Sequence, residues 1–408
     1  MADGFGTTLP KRKPSTERPG KPWEVSEDNR EGPVGSEDEL LEAERREIQD
    51  LEKLADRLEA VKDQLAAGTP TPEPKAAAPP PSKALNAEVL GLHLEGDKVI
   101  LSCRSGEELA EEVRESCYID AEGSAEELRQ LGLHYIEHRG KVLIYGDEAR
   151  VLARVFGREL RHPLKRGLID GKREEATAVL REELRRLPDA RARVVAVVVP
   201  DVSPEEAGFL KFHEELLRRM LESEDRQMVM VPVTEAAARH SPADAGSVGV
   251  TVHLGTDRTS TGLSFAGIVG KRWGLALGVG DVLEKASALT SVPAEELRHV
   301  LSIEGEGQGS EVMRTAAQVF LGELLEKVAG RLAEEVKSGW PERSPGVVRL
   351  CGEGACLAGV AELMKKALEQ AGLEDIFGEV ELLPDPELAA ARGAVLLAEA
   401  ESKKRAGG

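Results

Sequence analysis

The first 36 positions carry almost no aliphatic residues and are dense in Gly, Pro, Ser and charge. Such a segment buries too little apolar surface to offset the entropy of ordering, so residues 1–36 are expected to form a disordered tail. A helical period then begins. Ser36 followed by Glu39 has capping-box spacing. Leu51, Leu54, Leu58, Val61 and Leu65 step by alternating intervals of three and four, which is heptad spacing, and Leu41 and Ile48 extend the stripe less regularly. Residues 37–67 are therefore expected to form a coiled-coil helix. It either self-associates, docks a protein partner, or lies on the chain's own globular part, and three heptads do not separate these. The Pro- and Ala-rich stretch 68–84 predicts a stiff, polyproline-like linker.

From residue 85 the pattern alternates between strand and helix periods. Residues 89–94 and 98–102 read as a hairpin around Glu95, Gly96 and Asp97. Strand character returns at 135–145 around Arg139 and Gly140, and 147–160 and 173–187 read as helices. The continuous apolar run 193–199 predicts a strand buried on both faces. A helix over 204–222 and a buried strand over 228–233 follow. A second hairpin, 248–254 with 261–269, turns at Gly255 to Arg258. Helices are expected at 281–290, 293–301 and 311–337, then a strand at 347–351 and a helix at 357–371. Two hairpins at comparable places in two halves indicate an internal duplication. The expectation is an α/β chain with two related lobes, 85–245 and 246–400, and a tail at 401–408.

Composition narrows the function classes. Charged residues are 31% of the 408 and the net charge is −20, which argues against a general nucleic-acid or anionic-membrane binder, since both need positive surface. Aromatics are 3%, so the core must be aliphatic and stacking platforms for bases are scarce. Lys11, Arg12 and Lys13 precede no apolar leader region, and the longest apolar run, 194–199, is far too short to span a membrane. These features lead to the expectation of a cytoplasmic protein without a nucleic-acid partner or a membrane span. Cys103, Cys117, Cys351 and Cys356 lack paired zinc-ligand spacing and are expected to be reduced thiols.

The chemistry is concentrated in turns. Gly352-Glu353-Gly354-Ala355, between a strand and a helix, is a place where backbone approaches a ligand closely and a helix start favours anions. Several other segments stand in a telling order. Gly146-Asp147-Glu148-Ala149 precedes Arg161-His162-Pro163-Leu164-Lys165-Arg166-Gly167-Leu168-Ile169-Asp170. Val197-Val198-Val199-Pro200 leads to a helix containing Glu205 and Glu206. Met230-Val231-Pro232-Val233-Thr234-Glu235-Ala236-Ala237-Ala238 follows, then Pro293-Ala294-Glu295-Glu296-Leu297-Arg298, the Gly352 turn, and a small-residue run from Pro386 to Ala394. This order resembles the actin-like ATPase superfamily of bacterial actin homologues, FtsA and PilM proteins, DnaK-type chaperones and sugar kinases, over roughly 85–398. The resemblance implies a two-lobed actin-like fold of the duplicated ribonuclease H-like kind. It also implies ATP or ADP with Mg²⁺ as the candidate cofactor. On that resemblance Gly255 and Thr256 would lie at a phosphate, Glu295 and Arg298 would border the nucleoside, and Gly352, Gly354 and Ala355 would form the adenosine turn.

The departures from the family pattern bear on activity. Family members bind phosphates with two hairpin turns that begin with Asp and continue with Gly and Thr or Ser. Here His93 and His253 stand in the Asp places and Glu95 stands in a Gly place, where a carboxylate repels polyphosphate and its Cβ crowds the turn. Magnesium prefers oxygen ligands, so hydrolysis is expected to be weak or absent. The two histidines raise a Zn²⁺ reading with Glu95 or Asp257, but no third ligand shows convincing spacing, so no metal site is expected. Glu205 and Glu206 fit the acidic first turn of a helix begun by Ser203 and Pro204. An alternative phosphate turn is Asp120-Ala121-Glu122-Gly123-Ser124. The second half keeps only a short loop, 302–310, where many relatives insert a small subdomain, so polymerisation in the standard way is less expected. The resulting reading is a non-hydrolysing actin-like scaffold or adaptor that works through protein contacts. Its alternative is an active ATPase of cytoskeletal or chaperone type.

Overall fold

The apolar run beginning at Val194 becomes a central strand, flanked on both sides and buried at every position. The structure is a computed structural model that describes residues 89–105, 108–186, 192–221, 226–241, 248–265, 268–301, 310–338 and 346–406. All of them lie in the compact unit Pro70–Gly408. The expected tail 1–36, coiled-coil helix 37–67 and linker 68–84 lie outside the described residues.

In the first half, β1 (Val89–Glu95), β2 (Lys98–Ser105) and β3 (Glu108–Glu115) form an antiparallel meander. A three-stranded sheet follows, built from β4 (Tyr118–Asp120), β5 (Tyr135–His138) and β6 (Lys141–Tyr145), with α1 (Ala125–Gln130) and α2 (Asp147–Phe156) beside it. The short pair β7 (Leu164–Lys165) and β8 (Leu168–Ile169) leads to α3 (Glu174–Arg185) and β9 (Val194–Val199). A 3-10 turn, Pro204–Glu206, runs into α4 (Ala207–Leu221) and β10 (Gln227–Pro232), and α5 (Val233–His240) begins at once. The second half opens with β11 (Val248–Leu254), β12 (Thr259–Phe265) and β13 (Ile268–Leu275). Then come α6 (Val279–Thr290), α7 (Ala294–Leu301), α8 (Ser310–Lys337) and β14 (Gly346–Cys351). A 3-10 turn, Glu353–Cys356, precedes α9 (Val360–Gln370), β15 (Glu379–Leu382) and α10 (Ala389–Ala406).

The sheet orders are β10-β9-β1-β2-β3 and, read in the same sense, β15-β14-β11-β12-β13. Each begins with a meander and adds two parallel strands beside its first strand, so the second sheet repeats the topology of the first. The registers match as well. His93 lies opposite Ile100 on β2, and His253 opposite Ser260 on β12, so the two hairpins are equivalent residue for residue up to their turns. One aliphatic core fills the space under α6, α7, α8 and α9. A second lies between the first sheet, α3 and α4, and a third packs α5 and α10 against its other face.

The third core explains the small-residue run near the C-terminus. Ala389, Ala390, Ala391, Ala394 and Ala398 are wholly buried. A Cβ on Gly393 would overlap the carbonyl oxygen of Ala236 on α5, and one on Gly91 of β1 would overlap that of Ala391. Only residues this small let the α10 backbone come so close to α5 and β1.

Several elements differ from the sequence expectation. The strand expected at 261–269 is two strands, β12 and β13, and β3 has no counterpart in the expected pattern. β3 is an edge strand whose sequence Glu-Leu-Ala-Glu-Glu-Val-Arg-Glu is mostly charged; charge on an edge blocks pairing with another chain and also hides the apolar alternation that marks a strand. α2 stops at Phe156 rather than 160, because Gly157 takes the left-handed conformation that ends helices. α10 runs on to Ala406, through most of the segment expected as a tail. Ser124, in the alternative phosphate turn, is the N-cap of α1 in a capping box with Glu127.

Candidate functional site

The turns that close the β1–β2 and β11–β12 hairpins meet across the cleft between the two sheets. They read His93-Leu94-Glu95-Gly96-Asp97-Lys98 and His253-Leu254-Gly255-Thr256-Asp257-Arg258, an internal repeat of His-Leu, two variable positions, Asp and a base. The repeat is visible in the sequence once the hairpins are set in register. His93, Glu95, Asp97, His253, Thr256, Arg258 and Glu353 are all buried here. The Thr256 amide N–H donates to Glu95 Oε1 at 2.9 Å. The Glu95 carboxylate therefore occupies an anion seat made by the backbone of the second turn. Gly255 makes room for it, since a Cβ there would stand 2.5 Å from the same oxygen. Reciprocally, a Cβ on Gly96 would stand 2.8 Å from Asp257 Cγ, and Asp257 Oδ2 accepts the Gly167 amide N–H at 3.1 Å. Each turn thus places a carboxylate against the glycine of the other.

The electrostatics follow from burial. Burial, with Glu353 nearby, holds the Glu95 carboxyl well above the usual range. Burial lowers His93 well below its ordinary value, assisted by His253, and pushes His253 down to about 4. His253 Nε2 and Glu95 Oε2 stand 4.0 Å apart. Burial thus disfavours the charged form on both sides of this contact. Burial also raises Asp257. Asp97 behaves differently: burial opposes its ionisation, but Arg298 and Lys98 hold it below the ordinary carboxylate value.

Of the residues expected to border a nucleotide, Gly255, Thr256, Arg298 and the turn Gly352 to Ala355 are brought to one place. Arg298 Nη1 donates to Asp97 Oδ2 at 2.6 Å, and its Nε lies 2.8 Å from Glu353 Oε1. The Thr256 hydroxyl donates to Glu353 Oε2 at 2.5 Å. Gly255, Thr256, Arg298 and the turn Gly352 to Ala355 are therefore neighbours. Gly352, Gly354 and Ala355 are buried, and the Gly354 backbone packs on Leu254. Glu295 lies on α7, and its side chain is outside the described residues.

Sequence reasoning did not find the partners that complete this set. Asp97 and Glu353 take up Arg298. Lys98 Nζ donates to Glu387 Oε1 at 2.6 Å, which with Glu353 keeps the amine charged despite burial. Glu206, assigned to a helix start, does cap Ser203, but it also accepts both Nη groups of Arg258, at 2.9 and 2.7 Å, from the other side of the cleft. Those hydrogen bonds hold its carboxyl down to about 2. Arg258 Nε donates to the Arg166 carbonyl oxygen at 3.2 Å. Only the internal repeat of the two turns signals any of this.

Between the turns remains a cavity of about 30 Å³, lined by His93, Glu95, His253, Gly255, Asp257 and Ser260 among others. That is room enough for a water or a single ion, since one water needs roughly 10–15 Å³ by this measure. The Glu95 carboxyl on the Thr256 amide and the two imidazoles both line this space, and Mg²⁺ prefers oxygen ligands to imidazole. Among the described residues no helix is long and apolar enough to cross a membrane.

Comparison with known proteins places this geometry. The MamK double helical filament is 16% identical, covers 76% of this chain and 98% of its own, and superposes with a TM-score of 0.57. MreB5 of Spiroplasma citri bound to ADP is 14% identical, covers 78% of this chain and 98% of its own, at a TM-score of 0.55, and the same protein bound to AMPPNP gives the same figures. These similarities establish an actin-like ATPase fold with the two repeated sheets described above. No curated protein matches the chain. The profile of one family, Volactin, matches residues 89–398, which is both repeated halves and most of the chain, and the protein therefore belongs to the Volactin family of actin-like proteins.

Proposed function

We propose that this chain is an actin-like scaffold that neither binds nor hydrolyses nucleotide appreciably and acts through protein–protein contacts. The observation that carries the reading is the Glu95 carboxylate on the Thr256 amide N–H, in the place where a phosphate oxygen would sit. Arg298 supports it, because its charge is taken up by Asp97 and Glu353. Phosphoryl transfer relies on aligned cations and backbone donors to stabilise developing charge. Here buried carboxylates of the chain itself are seated among those groups.

The test is a thermal-shift titration of the full chain with ATP and ADP, with and without Mg²⁺, beside a phosphate-release assay. A ligand at 100 times its Kd adds about 2.7 kcal/mol to stability, which such a titration detects readily. The expected result is no shift at millimolar nucleotide and no phosphate release. A shift of several degrees without release would replace this reading with a nucleotide-sensing adaptor, and steady release would replace it with an active ATPase.

The contacts are assigned to self-association or a protein partner through residues 37–67. Similarity in fold to a filament-forming protein, MamK, favours self-association. Sedimentation velocity of the full chain should show a species larger than the monomer. Replacing Leu54 and Leu58 with Glu should reduce it to the monomer, because charges at heptad core positions are not tolerated. An unchanged sedimentation coefficient would remove the stripe from the interface.

A further inference from the structure

The two histidines and Glu95 have a feature that a filled cleft does not require. His93 Nδ1 and His253 Nε2 are buried nitrogens without a hydrogen-bond partner among the described residues. Their rings lie 5.2 Å apart between centroids, at 71° to each other. One ligand atom from each of His93, Glu95 and His253 falls within 4.8 Å of the others, and all three residues are buried. The cavity of about 30 Å³ opens on all three. Two unsatisfied buried imidazole nitrogens on residues that line one small cavity are costly unless something polar reaches them.

We propose that His93, His253 and Glu95 form a transition-metal site of the zinc class, with β1 and β11 as its two walls. The donor set selects the ion. Neutral imidazole suits Zn²⁺ and its first-row neighbours, whereas Mg²⁺ and Ca²⁺ need oxygen donors. Glu95 is oriented for the task, because one carboxylate oxygen is fixed by the Thr256 amide and the other faces His253. Ligand atoms of a tetrahedral site stand about 3.4 Å apart when the bonds are about 2.1 Å. The three donors therefore draw inward on loading, and the cavity has room for a water in the fourth position. The charge account also improves, since a divalent cation compensates Glu95 beside Glu353 and Asp257. His93 and Glu95 belong to one repeat and His253 to the other, so the ion ties the two halves together at their equivalent turns. This assignment does not depend on the scaffold reading, and its test uses no nucleotide.

The experiment uses untagged full-length chain, stripped with a strong chelator, reloaded with Zn²⁺ or Co²⁺ and passed through gel filtration. The expected result is one equivalent of metal per chain by mass spectrometry. Zn²⁺ but not Mg²⁺ should raise the melting temperature by several degrees, and the Co²⁺ form should show the intense visible bands of a tetrahedral nitrogen–oxygen site. His93→Gln and His253→Gln should each abolish retention, and Glu95→Gln should weaken it at least tenfold. If the histidine variants do not fold, the Co²⁺ spectrum of the natural chain decides alone. Absence of bound metal, bands showing thiolate ligation by Cys351 or Cys356, or undiminished retention in folded histidine variants would each overturn the assignment.

Discussion

Replacing Gly393 with Ala should lower stability by about 3 kcal/mol or more, a melting-temperature loss of roughly 5 °C or beyond for a chain of this size. The added methyl group would overlap the carbonyl oxygen of Ala236, a backbone atom that no rotamer change can move aside. The whole of α10 must therefore shift from α5 and β1, opening a core of wholly buried alanines. The same substitution at Gly330 makes a matched control. Gly330 lies within α8 and a Cβ there meets nothing within 4 Å. Gly330→Ala should stabilise by about 0.5–1 kcal/mol through helix propensity. Thermal melts of the two variants beside the natural chain check both signs. Equal melting temperatures for Gly393→Ala and the natural chain would mean that the α5–α10 contact is looser than described.

Glu206→Ala should destabilise by about 3 kcal/mol, because among the described residues it leaves the buried Arg258 guanidinium with only the Arg166 carbonyl oxygen as partner. Glu206→Gln should lose less, since it retains one acceptor for Arg258 and keeps its volume. The pair also predicts a pH dependence. Hydrogen bonds from Arg258 depress the folded-state pKa of Glu206 to about 2. A carboxylate depressed by folding contributes fully above its unfolded value near 4.3 and loses that contribution as pH falls towards about 2. The natural chain should therefore lose roughly 1–1.5 kcal/mol more than Glu206→Ala between pH 6 and pH 3, after allowing for the partial exposure of Glu206. Denaturant melts at pH 6 and pH 3 would measure it. Parallel losses in the two proteins would show that the ion pair contributes nothing across the cleft.

Much of the architecture can be read from apolar period alone. The fully buried strand β9 is an unbroken aliphatic run, β1 is Val and Leu interrupted by Gly91, His93 and Glu95, and the duplication shows as two hairpins at matching places. β3 escapes because an edge strand carries charges where an inner strand carries Val and Leu. The site divides along a similar line. Turns, glycines and small-residue runs are local and stand out in the sequence. The pairs that close the cleft are not local: Glu206 and Arg258 are 52 residues apart, Asp97 and Arg298 are 201, and Lys98 and Glu387 are 289. No periodicity links such positions, and a charged residue in isolation looks like solvated surface. His93 and His253 were legible as departures from the family pattern. Their approach to a common cavity with Glu95 follows only from the equal register of the two hairpins.

The seating of Glu95 has a consequence in time rather than in space. In a nucleotide-driven protein the cleft changes occupant with each turnover, and that change sets how long an assembly lasts. The Glu95 carboxyl, on the proposed reading, keeps that seat throughout. On the proposed reading the chain carries no internal clock, and the lifetime of anything it builds is governed from outside, by its concentration and by the partners that hold or release it.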